Sequence, residues 1–175
     1  MLKTKVGYSQ NADAILAGEE TAKMANFADA KAGLLFTSCV MDQTQILEGI
    51  KRVGSGHIIG CTSSAAICTH DGYLNAESGY AGMMSFSGDV EIGVAASEKT
   101  EGETPRETGK RLAIEALRQI STNRPEYFFM TASPAEEEEY LKGIQDVFGD
   151  IPVFGGSAAD NTVEGNWSIF CDDKI

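Results

Sequence analysis

Two short clusters hold the residue types in this chain best suited to handling a ligand. Gly60-Cys61-Thr62-Ser63 follows the apolar pair Ile58-Ile59. Gly155-Gly156-Ser157 follows Val153-Phe154, and Asp160 comes three residues later. Glycine lets a ligand approach the backbone closely, while successive hydroxyls and amides can bind a carboxylate or an amide. Asp160 apart, the clusters are uncharged, and neither contains Lys, Arg or His. Such chemistry holds a small polar molecule more readily than it transforms one. The same residues also fit tight turns whose Ser and Thr side chains cap their own backbone.

An enzyme reading would make Cys61 the nucleophile of a hydrolase or transferase, and a nucleophilic thiol needs a base. His57 lies at the opposite end of the same strand, and His70 precedes the Asp71-Gly72 turn. The prediction is therefore that no residue is catalytic and that Cys61 is buried, apart from any base. Cys39, Cys61, Cys68 and Cys171 form no CxxC pair, and His57 and His70 are the only histidines, so no metal site is expected. No cofactor is expected either. Gly54-Ser55-Gly56 precedes a strand where a dinucleotide loop would follow one, and neither GxSxG nor GxxxxGK[ST] occurs. A third reading is a structural assembly module whose glycines only permit close packing.

The elements that must position these clusters read as two copies of one unit. Leu34-Leu35-Phe36-Thr37 is a short apolar run that suits a strand buried on both faces. Asp42 then caps a helix with Gln45 three residues on, Ile46, Ile50 and Val53 form its apolar face, and Gly54 and Gly56 end it before Ile58-Ile59. Phe128-Phe129-Met130-Thr131, a helix, and Val153-Phe154 repeat the order. Thr104-Pro105-Arg106-Glu107 and Ser133-Pro134-Ala135-Glu136 each place a hydroxyl at the cap, proline at the first position and Glu at the third. Val6 to Ser9 reads as a first strand and residues 12–27 as a helix. Residues 79–86 and 90–96 read as a hairpin around Ser87-Gly88-Asp89, and residues 97–103 as a mobile charged loop. The expected fold is α/β, a mixed sheet built from two βαβ units with an inserted antiparallel hairpin. Both clusters should lie at the same edge of one sheet, beyond the carboxyl ends of its strands, where ligands bind in open α/β folds.

At 175 residues the chain suffices for a single domain, 1–175, with a real core. Its formal net charge of −12 repels phosphate backbones and anionic lipids, so neither nucleic acid nor a membrane is an expected partner. No apolar run of signal-peptide or membrane-spanning length occurs, which points to the cytoplasm.

Five pieces in order resemble one family. Val6-Gly7-Tyr8-Ser9, the strand Leu34 to Ser38, Ile59-Gly60-Cys61-Thr62-Ser63, Asp71-Gly72-Tyr73 and Phe154-Gly155-Gly156-Ser157-Ala158-Ala159-Asp160 are similar to the FIST N-terminal sensory domain. The resemblance implies a bacterial signal-transduction module that senses small ligands such as amino acids. Its output would pass to a partner protein or to a carboxyl-terminal domain that this chain does not carry. Family members often follow the Gly-Cys-Ser/Thr run with Gly-Glu, where this chain has Ala65-Ala66, so a ligand contact from that Glu is absent. The resemblance also implies that the domain extends past Ile175. Asn166 to Cys171 reads as a strand rich in aromatic and β-branched residues, with a turn after it and no returning strand. Homo-oligomerisation through that open C-terminal strand is the corresponding expectation.

Overall fold

A computed structural model describes residues 1–75, 77–98 and 100–175. Lys99, within the charged loop expected at 97–103, lies outside the described residues. In chain order the elements are β1 (Leu2–Ser9), α1 (Ala14–Met24), a 3-10 turn (Phe27–Asp29), β2 (Ala32–Ser38), α2 (Gln43–Lys51), β3 (His57–Ser63), β4 (Ile67–Thr69), β5 (Gly72–Leu74), β6 (Ala81–Gly88), α3 (Pro105–Leu117), β7 (Phe128–Ala132), α4 (Glu137–Phe148), β8 (Val153–Ser157) and β9 (Ile169–Cys171). The fold is α/β with a mixed sheet. The chain divides into two compact units, Met1–Val90 with Ala158–Ile175, and Glu91–Ser157.

The first unit carries a five-stranded sheet in the order β1-β6-β2-β3-β9. β2 and β3 run parallel with Leu35 opposite Gly60, joined by the α2 crossover, and the remaining pairs are antiparallel. Caps define the helices. The Asp13 and Asp42 carboxylates accept from the backbone N–H groups of Leu16 and Gln45, each satisfying a donor that the first turn leaves open. The core gathers Ala17, Ala22 and Phe27 with Leu35, Ile46, Ile50, Ile58, Met83 and Phe170. α1 and α2 cross closely enough that a Cβ at Gly18 would lie 2.2 Å from the Ile46 carbonyl oxygen, and one at Gly49 would lie 2.1 Å from that of Ile15. Only glycine permits that approach.

The second unit repeats the arrangement. Parallel β7 and β8 flank α4, and α3 packs on α4. A Cβ at Gly109 would lie 2.3 Å from the Tyr140 carbonyl oxygen, and one at Gly143 would lie 2.0 Å from that of Arg106. The strands show the same correspondence. Gly60 abuts the Leu35 carbonyl of β2 at 1.7 Å, and Gly155 abuts the Met130 carbonyl of β7 at 1.9 Å, each measured from an added Cβ. The expected duplication is therefore present in helix crossings as well as in strand order.

Four local expectations change. The two βαβ units occupy separate sheets, five-stranded for β2 and β3 and two-stranded for β7 and β8, so the clusters do not share one sheet edge. The antiparallel hairpin is β4–β5, with Cys68 opposite Tyr73. Residues 90–96 form no strand, because β6 spends both its edges on β1 and β2. Thr104 forms the full capping box expected of it, whereas Ser133 does not. A turn intervenes there, with Ala135 in the left-handed region at φ 78°, and α4 starts at Glu137 without a side-chain cap. Finally, the C-terminal strand is confined to Ile169–Cys171 and pairs with β3, which buries Phe170 and Cys171.

Candidate functional site

In the first cluster the chain satisfies its own polar groups. Cys61 and Thr62 are buried. The Thr62 hydroxyl accepts from the Ser168 N–H at 3.0 Å, and the Thr62 carbonyl accepts from the Ala159 N–H. The Ser63 hydroxyl donates to the Ala66 carbonyl at 3.4 Å, and Tyr80 donates its phenol to the Ser63 carbonyl at 2.9 Å. Ala65 turns in the left-handed region at φ 58°, and its N–H donates to the Asn161 side chain. Gly60 is explained by the close approach to β2. The self-bonded turn is thus the geometry of residues 60–66.

Burial pushes the Cys61 thiol up from 9.0 to about 11. A nucleophilic cysteine needs the opposite shift, toward thiolate at neutral pH. His57 and His70 are engaged elsewhere. His57 Nδ1 pairs with Asp172 at 3.0 Å, and Asp172 also accepts from the Ile58 N–H. His70 stands 3.4 Å from Asp71 and meets Tyr8 edge to face, and Tyr8 donates to the same Asp71 carboxylate.

Asp160 lies in the first unit and organises the loop after β8. Its carboxylate accepts from the N–H groups of Thr162 at 3.0 Å and Asn166 at 2.6 Å, and also from that of Val163. Burial acts to raise this carboxyl, but the Asn166, Thr162, Val163 and Gly165 amides outweigh it and hold it below its ordinary value. With its oxygens so occupied, Asp160 holds protein backbone.

The second unit offers more accessible chemistry. β8 is exposed along its length, and a Cβ at Gly156 would meet nothing within 4 Å. Ser157, paired in register with Ala132 of β7, donates its hydroxyl to Glu137 at the start of α4. That bond, with backbone N–H groups at Glu137 and Ala135, holds the Glu137 carboxyl below its usual range, so it is anionic at neutral pH. Beside it, Tyr140 donates to Glu136 at 2.8 Å and stands 3.4 Å from the Ser133 hydroxyl. The sequence points to Gly156 and Ser157 as site residues but does not single out Glu137. The signal available was the strand-end position of Ser133 and Ser157 beside the first turn of α4.

The model of the FIST N domain matches residues 31–175, from the entry into β2 through both glycine-hydroxyl clusters. The chain belongs to the FIST N domain family. That family is a sensory domain of signal transduction, which bears out the resemblance carried by the strand-end motifs. Comparison with curated proteins finds no match. Among the described residues, no helix is long and apolar enough to cross a membrane, and no three His, Cys, Asp or Glu side chains gather to hold a metal ion.

Proposed function

We propose that this FIST domain senses a small polar ligand, an amino acid or a similar molecule carrying an ammonium group, and passes its occupancy to a signalling output protein. The supporting observation is the open strand end of the second unit. β8 is exposed along its length, Ser157 presents a hydroxyl at its end, and Glu137 is held as an anion beside that hydroxyl. An anionic carboxylate next to neutral donors suits an ammonium paired with a carboxylate or amide. Glu137 would supply the charge that Ala65-Ala66 cannot. Gly155 shapes this strand end by its contact with β7. Gly60, Cys61, Thr62, Ser63 and Asp160 are engaged within the first unit, so they frame their own turn and would not touch this ligand.

A thermal-shift screen of the chain against the twenty amino acids and a series of small carboxylic acids and amines tests the reading. A ligand that binds only the folded state raises the midpoint by mass action. At least one amino acid or amine should do so, and Glu137→Gln should remove the effect. Stabilisation by carboxylic acids lacking an amine, undiminished in Glu137→Gln, would contradict it.

A further inference from the structure

The β4–β5 hairpin is a small sheet of its own, paired with none of the five strands beside it. It leaves β3 at Ser63, and Ile67 lands on β6 two strands away, where a Cβ at Gly82 would lie 2.3 Å from its Cδ1. Tyr8, Gly82, Phe36 and Cys61 stand opposite one another in a single row across β1, β6, β2 and β3. Directly opposed residues share a face of the sheet, so Gly82 is a notch between two rings and Ile67 is the plug in it. The hairpin tip reaches β1, where Tyr8 donates its phenol to Asp71 and meets His70 edge to face. Base and tip are held differently. At the base the phenol of buried Tyr80 donates to the Ser63 carbonyl at 2.9 Å, and the Ala65 N–H donates to the Asn161 side chain at 2.8 Å. Within the hairpin, β4 and β5 pair in register and the Thr69 hydroxyl accepts from the Asp71 N–H. Beyond Ala65 the docking rests on the Ile67 plug, the Tyr8 contacts and Leu74, the one buried side chain among residues 64–75.

We infer that this hairpin is a flap, hinged at Ala65, that lifts Ile67 out of the Gly82 notch while the five-stranded sheet stays folded. Segments with few buried apolar side chains and solvent-exposed hydrogen bonds open locally, at far lower cost than global unfolding. The Tyr8–Asp71 bond is exposed, and a two-stranded hairpin takes its stability from what it packs on. Ala65 holds a left-handed conformation at φ 58°, uncommon for a residue with a side chain, and such positions recur in switch regions. With its base fastened and its own ladder intact, the hairpin moves as a body. The change is confined to the notch and the Tyr8 latch. A sensory domain needs an element with two arrangements, and this flap supplies one.

Nitrogen-15 relaxation dispersion on the full chain measures the opening, which falls in the microsecond-to-millisecond range of loop and lid motions. Amides of residues 66–74 should share one exchange process, with those of Ser63 and Tyr80 at the base quiet. Tyr8→Phe keeps the ring against His70 and removes only the hydroxyl, so it should raise the open population about fivefold, the worth of one exposed hydrogen bond. Gly82→Val leaves the latch atoms intact but fills the notch, and should move the Ile67 and Tyr8 signals to their open positions. Urea unfolding followed by Trp167 fluorescence should give the Tyr8→Phe protein the midpoint of the parent, which separates opening of the flap from loosening of the sheet. Absence of exchange in residues 66–74, exchange shared with the whole sheet, or a population unmoved by either variant would overturn the assignment.

Discussion

Replacing Gly49 by alanine sets two effects of opposite sign against each other. In a helix interior alanine is favoured over glycine by about 1 kcal/mol, so propensity alone predicts stabilisation. The new Cβ, however, would lie 2.1 Å from the Ile15 carbonyl oxygen and 3.0 Å from the Glu19 nitrogen. Both are backbone atoms of α1, so no side chain can swing aside. Ordinary contact requires α2 to move off α1 by about 1 Å, loosening Ile46, Leu47 and Ile50, all buried against the core. Overpacking of this kind costs about 1–3 kcal/mol and occasionally more. Close backbone contact on both sides puts this site at the upper end, so the net expectation is a loss of about 2 kcal/mol. Urea unfolding followed by fluorescence of Trp167, the single tryptophan and part of the first unit, reads that unit directly. Gly156→Ala is the control, with open space around it and an expected change within about 0.5 kcal/mol. A Gly49→Ala protein as stable as the parent, or more so, would refute the close crossing.

Cys61 should label far more slowly than an ordinary thiol, since a rise from 9.0 to about 11 cuts its thiolate fraction about 100-fold at neutral pH and burial adds to that. Mass-spectrometric mapping after brief iodoacetamide treatment should find Cys68, which is exposed, modified well before Cys61. Glu103 is held at about 2, first by Arg111 and then by the Thr100 N–H, against an ordinary 4.5. A carboxyl lowered in the folded state stabilises fully above its unfolded value and loses that contribution as pH falls, here between about 4.5 and about 2. Glu103→Gln should flatten the acid limb of the stability profile in that window, and an unchanged limb would discount the Arg111 pairing. Asp160→Ala should unfasten residues 160–166, seen as faster hydrogen exchange at the Asn166 amide, which donates to that carboxylate.

The parts of the fold that were legible in the sequence are those fixed by local chemistry. Asp42 with Gln45, and Thr104-Pro105 with Glu107, announce their helices because a cap is made by residues three apart. The repeated βαβ units were visible because the same types recur in the same order. What escaped depends on distant partners. β6 looks like half of a hairpin until β1 and β2 claim both its edges, and Ser133-Pro134-Ala135-Glu136 matches a capping box that the chain does not close. At the candidate site, the strand-end glycines and hydroxyls were readable, but their duties were not. Thr62 is spent on Ser168, a hundred residues away, and Asp160 on its own loop, while Glu137 gains its role only because β8 brings Ser157 to it.

Amide chemical shifts report most directly on the proposal that the second unit's strand end receives the ligand. Nitrogen-15-labelled protein would be titrated with whichever amino acid gives the largest thermal shift. Perturbations should centre on Gly156, Ser157, Glu137 and Ser133, saturate with concentration, and vanish in Glu137→Gln while the rest of that variant's spectrum stays folded. Saturable perturbations centred instead on residues 60–66, or unchanged in Glu137→Gln, would contradict it.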